Sequence, residues 1–244
     1  MIAAVLPATA QLRLPAIMSD HMVMQRNEKI RFWGWADKGA RVTVALAGNT
    51  ASAKAARDGR WSVQLPALPA GGPYTVTVSS KKETITLDDV LVGEVWICSG
   101  QSNMEFMLRS INNADEEIRS ATNGNIRSFD VQKDMARFPK DDLKGDWKIC
   151  SPQTAGNFSA VGYLFCREIA ERLNVPVGLI NTSWGGTDIE SWMSMETIDA
   201  FPKYRRLMTR LRSEELEAYL ARGKEVEAAF LKAIADEPGE KEQW

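Results

Sequence analysis

Chemistry in this 244-residue chain centres on a serine hydroxyl placed where an apolar, β-prone run breaks, in Val95-Trp96-Ile97-Cys98-Ser99-Gly100-Gln101-Ser102-Asn103-Met104. Gly100 permits a tight bend. If a helix starts just after it, the backbone N–H groups of Ser102 and its neighbours have no intrahelical acceptors and face outward, as an oxyanion requires. Such a hydroxyl suits acyl transfer, which needs three further things: a base, a group orienting that base, and donors for the developing negative charge. Donors are offered a second time downstream. Val175-Pro176-Val177-Gly178-Leu179-Ile180-Asn181 reads as a buried strand, and Thr182-Ser183-Trp184-Gly185-Gly186-Thr187 as a turn whose paired glycines allow close backbone approach. The base is harder to find. The single histidine, His21, lies in Ser19-Asp20-His21-Met22-Val23-Met24-Gln25. Read as adjacent strand residues, Asp20 and His21 point to opposite faces, so Asp20 cannot orient the imidazole.

Three stretches in order, Gly93 to Met104, Phe158-Ser159-Ala160-Val161-Gly162-Tyr163 and Thr182 to Thr187, resemble the sialate O-acetylesterase family within the SGNH (GDSL-like) hydrolases. The resemblance runs from about Leu12 to Met195. It implies Ser102 as nucleophile, the N–H groups of Ser102 and Gly186 as oxyanion donors with Gly185 as the neighbouring candidate, and Asn103 as a residue helping to hold the turn. It also implies a catalytic histidine, with an acidic residue shortly before it, near the C-terminal end of the hydrolase domain; this sequence has no counterpart to that segment, nor to the family's Gln-Gly-Glu turn. The expectation is therefore a C-terminally truncated esterase whose catalytic base is unknown and whose isolated chain is nearly inactive. Its substrate would be sialic acid or a related acetylated sugar, with no metal and no cofactor. Two alternatives stand beside it: a non-catalytic carbohydrate-binding protein and an acetylxylan-type esterase. Gly-Gln-Ser-Asn-Met lacks the second glycine of an α/β-hydrolase elbow.

The elements that must position these groups fall into an α/β plan. From Leu12 to Leu87 the chain alternates with period two between turn residues, predicting a β-sandwich over 11–89. Within it Trp33, Trp35 and Trp61 read as core or edge packing, with a sugar-stacking platform as the alternative. Over 90–200 strand and helix patterns alternate, predicting the first part of an SGNH-type parallel sheet, with strands at Val90–Ile97 and Asn125–Val131 and helices at Met104–Leu108, Asp115–Ser120 and Val161–Leu173. Ser102 and Gly186 fall at carboxyl ends of its strands, where ligands gather. Glu190 and Trp192 follow the second turn and are candidates to line the same crevice. From 201 to 244 the chain reads as a helical insertion or hairpin, with apolar residues Tyr204, Leu207, Met208 and Leu211 on one face, Leu216, Leu220, Val226, Phe230 and Ile234 on another, and breaks at Ser213 and Gly223.

Several classes are set aside by composition. With 30 basic and 32 acidic residues, no strong field invites nucleic acid, and no apolar run approaches the length that crosses a membrane. Residues 1–10 resemble the tail of a signal peptide, with Ala8-Thr9-Ala10 before Gln11, which predicts a periplasmic or secreted protein. Cys98, Cys150 and Cys166 lack metal-ligand spacing and permit at most one internal disulfide; Cys98 and Cys166 read as buried thiols. A sheet ended early would leave Val95, Ile97, Val177 and Ile180 short of partners, predicting self-association through the open edge.

Overall fold

The computed structural model describes residues 11–81, 83–136, 139–213 and 215–236, so the signal-like segment 1–10 lies outside the described residues. Period-two alternation is realised as β1 (Val23–Gln25), β2 (Ile30–Trp35), β3 (Arg41–Leu46), β4 (Asn49–Lys54), β5 (Arg60–Leu65), β6 (Gly71–Ser79) and β7 (Thr84–Cys98). After β7 come α1 (Ser102–Glu105), α2 (Ala114–Ser120), β8 (Ile126–Val131), β9 (Gly145–Ile149), α3 (Ala160–Leu173) and β10 (Val177–Asn181). The result is a mixed α/β chain with a large central sheet.

That sheet runs β4-β3-β6-β7-β10-β8-β9, with β1 also paired to β7. One strand serves two neighbourhoods. The first part of β7 pairs antiparallel with β6 up to Val92, while Glu94–Cys98 pairs parallel with β10. Position 89/90, expected as a domain boundary, thus falls inside a continuous strand. Where β7 changes partners, glycine is required by space: a Cβ on Gly93 would lie 2.0 Å from the carbonyl oxygen of Pro176. β10 sits between β7 and β8, both parallel to it, and β9 closes that side as an antiparallel strand.

A separate ribbon of β2 and β5 lays Ile30, Phe32, Trp61, Val63 and Leu65 into the same core as Val42, Val44 and Leu46 of β3 and Val76 and Val78 of β6. Trp61 is therefore a core residue, 3% exposed, and cannot share a platform with Trp33 and Trp35 on the ribbon's opposite face. Below β10 a second core gathers Leu179, Val177, Cys98, Tyr163 and Cys166 under α3. Val177 is fully buried there, which corrects the expectation that it would want for partners. The motif Phe158–Tyr163 has two physical roles. Ser159 Oγ caps α3 by accepting from Gly162 N at 3.1 Å, and Gly162 lets the helix approach so closely that a Cβ would meet Leu179 Cδ1 at 2.9 Å and Cys98 Sγ at 3.1 Å.

Residues from Asp188 onward form a second compact unit. It holds 3₁₀ turns at Ile189–Trp192 and Pro202–Tyr204 and helices α4 (Met195–Asp199), α5 (Arg205–Arg212) and α6 (Glu215–Asp236). Glu190 and Trp192 belong to this unit. Met208 is buried as the stripe predicted, while Val226 and Phe230 are more than 60% exposed. The break expected at Ser213 is present, but Gly223 lies inside α6. No helix among the described residues is long and apolar enough to cross a membrane.

Candidate active site

Ser102 opens α1, a single turn whose amides Met104 N and Glu105 N both return to Gln101 O at 3.0 Å. The chain reverses before it at Gly100, where φ of +129° lies in the region that side chains disfavour. The serine side chain is exposed, and its Oγ sits 3.3 Å from Gln101 Oε1. The helix expected over Met104–Leu108 is thus shorter and earlier: one α-turn from Ser102 to Glu105, then a 3₁₀ turn at Leu108–Ser110. Its exit is fixed by Leu108 N to Phe158 O at 2.9 Å and Ala160 N to Phe106 O at 2.7 Å, so the second motif braces the first.

The two turns are zipped together. Beyond the ends of β7 and β10 the parallel ladder continues as Thr182 N to Cys98 O and Trp184 N to Gly100 O, both 2.9 Å. A Cβ built on Gly185 would stand 3.5 Å from Ser102 Cα and 3.7 Å from its Cβ, which places Gly185 against Ser102 itself. Gly186 has φ of +75°, the left-handed conformation that favours glycine. Among the described residues, no acceptor takes the N–H of Ser102, Asn103 or Gly186. Gly185 differs: its N–H is taken by Glu105 Oε2, and Glu105 Oε1 is paired with Lys133. The hydrogen bond from Lys133 first, and the Gly185 N–H second, hold the Glu105 carboxyl below its ordinary range. Beneath the turn, Ser183 N and Oγ bond to Asn181 Oδ1 at 3.1 and 2.7 Å, and Asn181 Nδ2 donates to Asp130 Oδ1 at 3.1 Å. Burial pushes the Asp130 carboxyl up, against the opposing pull of Asn181.

With that geometry in view, comparison with known proteins is decisive. Residues 92–228 match the family model for carbohydrate esterase, sialic acid-specific acetylesterase, more than half of the chain. The chain belongs to this acetylesterase family. Sialate O-acetylesterases from Rattus norvegicus and Homo sapiens are 35% and 34% identical to it over 208 and 209 residues, 77% of this chain but 38% and 40% of those proteins. A carbohydrate acetylesterase from Xanthomonas citri of known crystal structure superposes with a TM-score of 0.76 at 37% identity, covering 78% of this chain and 44% of that one. The chain thus spans about two-fifths of the length of the acetylesterases it matches.

Other residues of the acetylesterase-family chain stand apart from the serine. His21 lies in a turn rather than a strand, with φ of +67°, and its Nδ1 is 2.8 Å from Asp89 Oδ2. Asp20 is turned elsewhere, accepting from Asp88 N at 2.8 Å, so it does not orient His21, as expected, though the cause is the turn and not strand alternation. Asp89 is separated from Cys98 by most of β7, about 30 Å at the ordinary strand rise, which puts His21 far from Ser102. Asn103 is exposed with no hydrogen bond among the described residues, so the turn is held by the ladder and by Glu105 instead. All three cysteines are buried and unbridged. Burial raises the Cys98 thiol and carries Cys150 to about 11 and Cys166 to about 12, leaving none as a thiolate nucleophile.

Sequence reading missed Glu105 and Lys133. Glu105 had a signal: three residues past Ser102, it shares a helical face with the hydroxyl. Lys133 had none, since only the tertiary fold brings it near. Among the described residues, no group of three or more His, Cys, Asp or Glu is arranged to hold a metal ion.

Proposed function

We propose that this chain presents the nucleophile and oxyanion donors of a serine carbohydrate esterase of SGNH type, removing O-acetyl groups from sialic acid or a related acetylated sugar. The observation that supports it is the zipping of the second turn onto the first, Trp184 N to Gly100 O at 2.9 Å with Gly185 against Ser102, while the N–H groups of Ser102 and Gly186 stay free among the described residues. Ser102 Oγ attacks the acetyl carbon, the carbonyl oxygen gathers negative charge against those two N–H groups, and the sugar oxygen leaves as an alcohol. Water then releases acetate from the serine. Gly185 is not a donor in this scheme, because its N–H already serves Glu105.

Proton transfer is the weak point. With His21 held by Asp89 at a distant part of β7, Ser102 lacks an imidazole from this chain, and loss of a triad base removes on the order of a million-fold in kcat. The chain alone is therefore a slow esterase. Imidazole added to the buffer supplies the missing base, so hydrolysis of 4-nitrophenyl acetate should rise with imidazole more steeply for the wild type than for Ser102→Ala. Equal slopes for the two would remove Ser102 as nucleophile. We propose with it an exported, periplasmic or secreted location, where acetylated glycans are met, an N-terminal β-sandwich as the support of the hydrolase sheet, and weak self-association along the edge of β7.

A further inference from the structure

Two clefts on the N-terminal part, distant in sequence from the serine, have more basic than acidic side chains in their walls. The first, of about 380 Å³, is lined by Lys38, Arg41, Lys54 and Lys81, facing Asp37 and Glu83. The second, of about 330 Å³, is lined by Arg31, Lys54 and Arg60 together with Trp33 and Trp35, facing Asp141. Lys54 belongs to both, so the clefts adjoin. The carboxylates are largely spent: Glu83 accepts the Leu12 N–H at 2.5 Å, and Asp141 is paired with Arg60. Among the described residues Lys38, Arg41 and Lys54 have no carboxylate partner. On a chain of net charge −2 this is a local reversal of sign.

Strand pairing sharpens the point. Arg41 and Lys54 stand directly opposite each other on antiparallel β3 and β4, both exposed, an arrangement of like charges that costs stability in a sheet. Local conflicts of this kind are expected where a ligand resolves them. Arg13 covers the Trp35 ring at 3.7 Å, which leaves Trp33 as the aromatic wall, with the Arg31 guanidinium 5.8 Å from its centroid and its Nε on Ser62 Oγ at 3.0 Å.

We propose that these adjoining clefts bind an acidic saccharide, a sugar chain carrying carboxylates. A pyranose ring lies along Trp33, and successive carboxylates meet Arg31, Lys54 and Arg41. Each cleft has the volume of a small-ligand site, and their continuity suits a chain of sugars better than a single one. This site does not depend on Ser102. Its test is calorimetric titration of the full chain with oligogalacturonate, with the methyl-esterified form of the same oligosaccharide, and with polyphosphate. Oligogalacturonate should bind saturably, and its methyl ester about ten-fold more weakly or worse. Lys54→Glu should weaken binding by a similar factor while leaving the melting temperature equal or higher, because it turns the repulsion with Arg41 into attraction; Lys54→Gln serves if the reversal misfolds. Trp33→Ala, its fold checked by circular dichroism, should also weaken binding, and Ser102→Ala should bind like the wild type. Equal binding of acid and ester, no saturable binding of the acid, or binding of polyphosphate as tight as oligogalacturonate and indifferent to Trp33, would each overturn the proposal.

Discussion

The N–H of Gly185 has one acceptor, and it is the carboxylate three residues past the proposed nucleophile. Glu105 thereby ties the second turn to the first helical turn, while Lys133 neutralises it and stands 5.6 Å from the Trp184 ring. Because Gly185 is committed to Glu105, the next amide, Gly186, is left to receive an oxyanion. Glu105→Ala should release the turn and cut Ser102-dependent acyl transfer by the worth of one misplaced oxyanion donor, about 2.7–4 kcal/mol in the transition state. Glu105→Gln retains an acceptor for Gly185 and should lose much less. If both variants matched the wild type in imidazole-supported esterolysis, the clamp would have no part in positioning. A pH signature follows from the lowered carboxyl pKa. A depressed folded value means that the clamp contributes fully above the ordinary carboxylate range and is lost as pH falls through the folded value. Carbon-13 NMR titration should find Glu105 below an ordinary glutamate, and Lys133→Met should move it upward.

Elements show why these residues meet. α3 can lie on β10 and Cys98 only because position 162 has no side chain. Gly162→Ala should cost about 1–3 kcal/mol by overpacking, seen as a lower denaturant midpoint with unchanged slope. At the other end of β7, buried Arg127 of β8 donates to His21 O at 2.9 Å and to Asp89 Oδ1 at 3.0 Å, joining the hydrolase strands to the N-terminal turn. Burial pushes the Asp89 carboxyl up, but Arg127 and His21 together outweigh it and hold it below the usual range. Asp89 has φ of +54°, a conformation asparagine tolerates, so Asp89→Asn removes the charge without the backbone penalty. The expected loss is about 1.5–3 kcal/mol in chemical denaturation, and an unchanged midpoint would mark the cluster as incidental. Sequence patterns reached much of this scaffold. Strong period-two runs gave β2, β3 and β5, and the helical stripe ending at Leu173 gave α3, because burial on one face writes itself into residue order. Asn49–Lys54 escaped, since its alternating Ala and polar residues bear no apolar contrast, and so did Gly145–Ile149, whose one buried anchor is Trp147. That β7 would run unbroken through Asp88-Asp89 was also hidden: two acids look like a loop until Asp20, Thr75 and Arg127 supply their partners.

At the scale of the molecule, the proposed site lies beside an unfinished edge. Glu94 N and Cys98 O bond toward β10, so the alternate residues of β7 present their backbone groups to the opposite side. There Arg26 N donates to Gly93 O at 2.8 Å and Gln25 Oε1 accepts from Val95 N at 2.9 Å, after which the cover stops. On this side β1 pairs with β7 only as far as Gly93, while Ile97 has its partner Ile180 on the β10 side, and the Ile97 side chain is 69% exposed. An exposed apolar edge of this kind templates pairing with another chain, yet it is only a few residues long, so pairing of two copies should be weak and dilution-sensitive. Sedimentation velocity should show a larger species growing with concentration, and Ile97→Lys should abolish it by placing a charge on the edge. The consequence reaches Ser102, three residues beyond Ser99. When two copies cover that edge they also crowd the hydroxyl, so labelling by a fluorophosphonate should slow as the chain is concentrated in the wild type and stay constant in Ile97→Lys. A wild-type labelling rate independent of concentration, alongside a sedimentation coefficient that does not move, would mean that Gln25 and Arg26 protect the edge well enough by themselves.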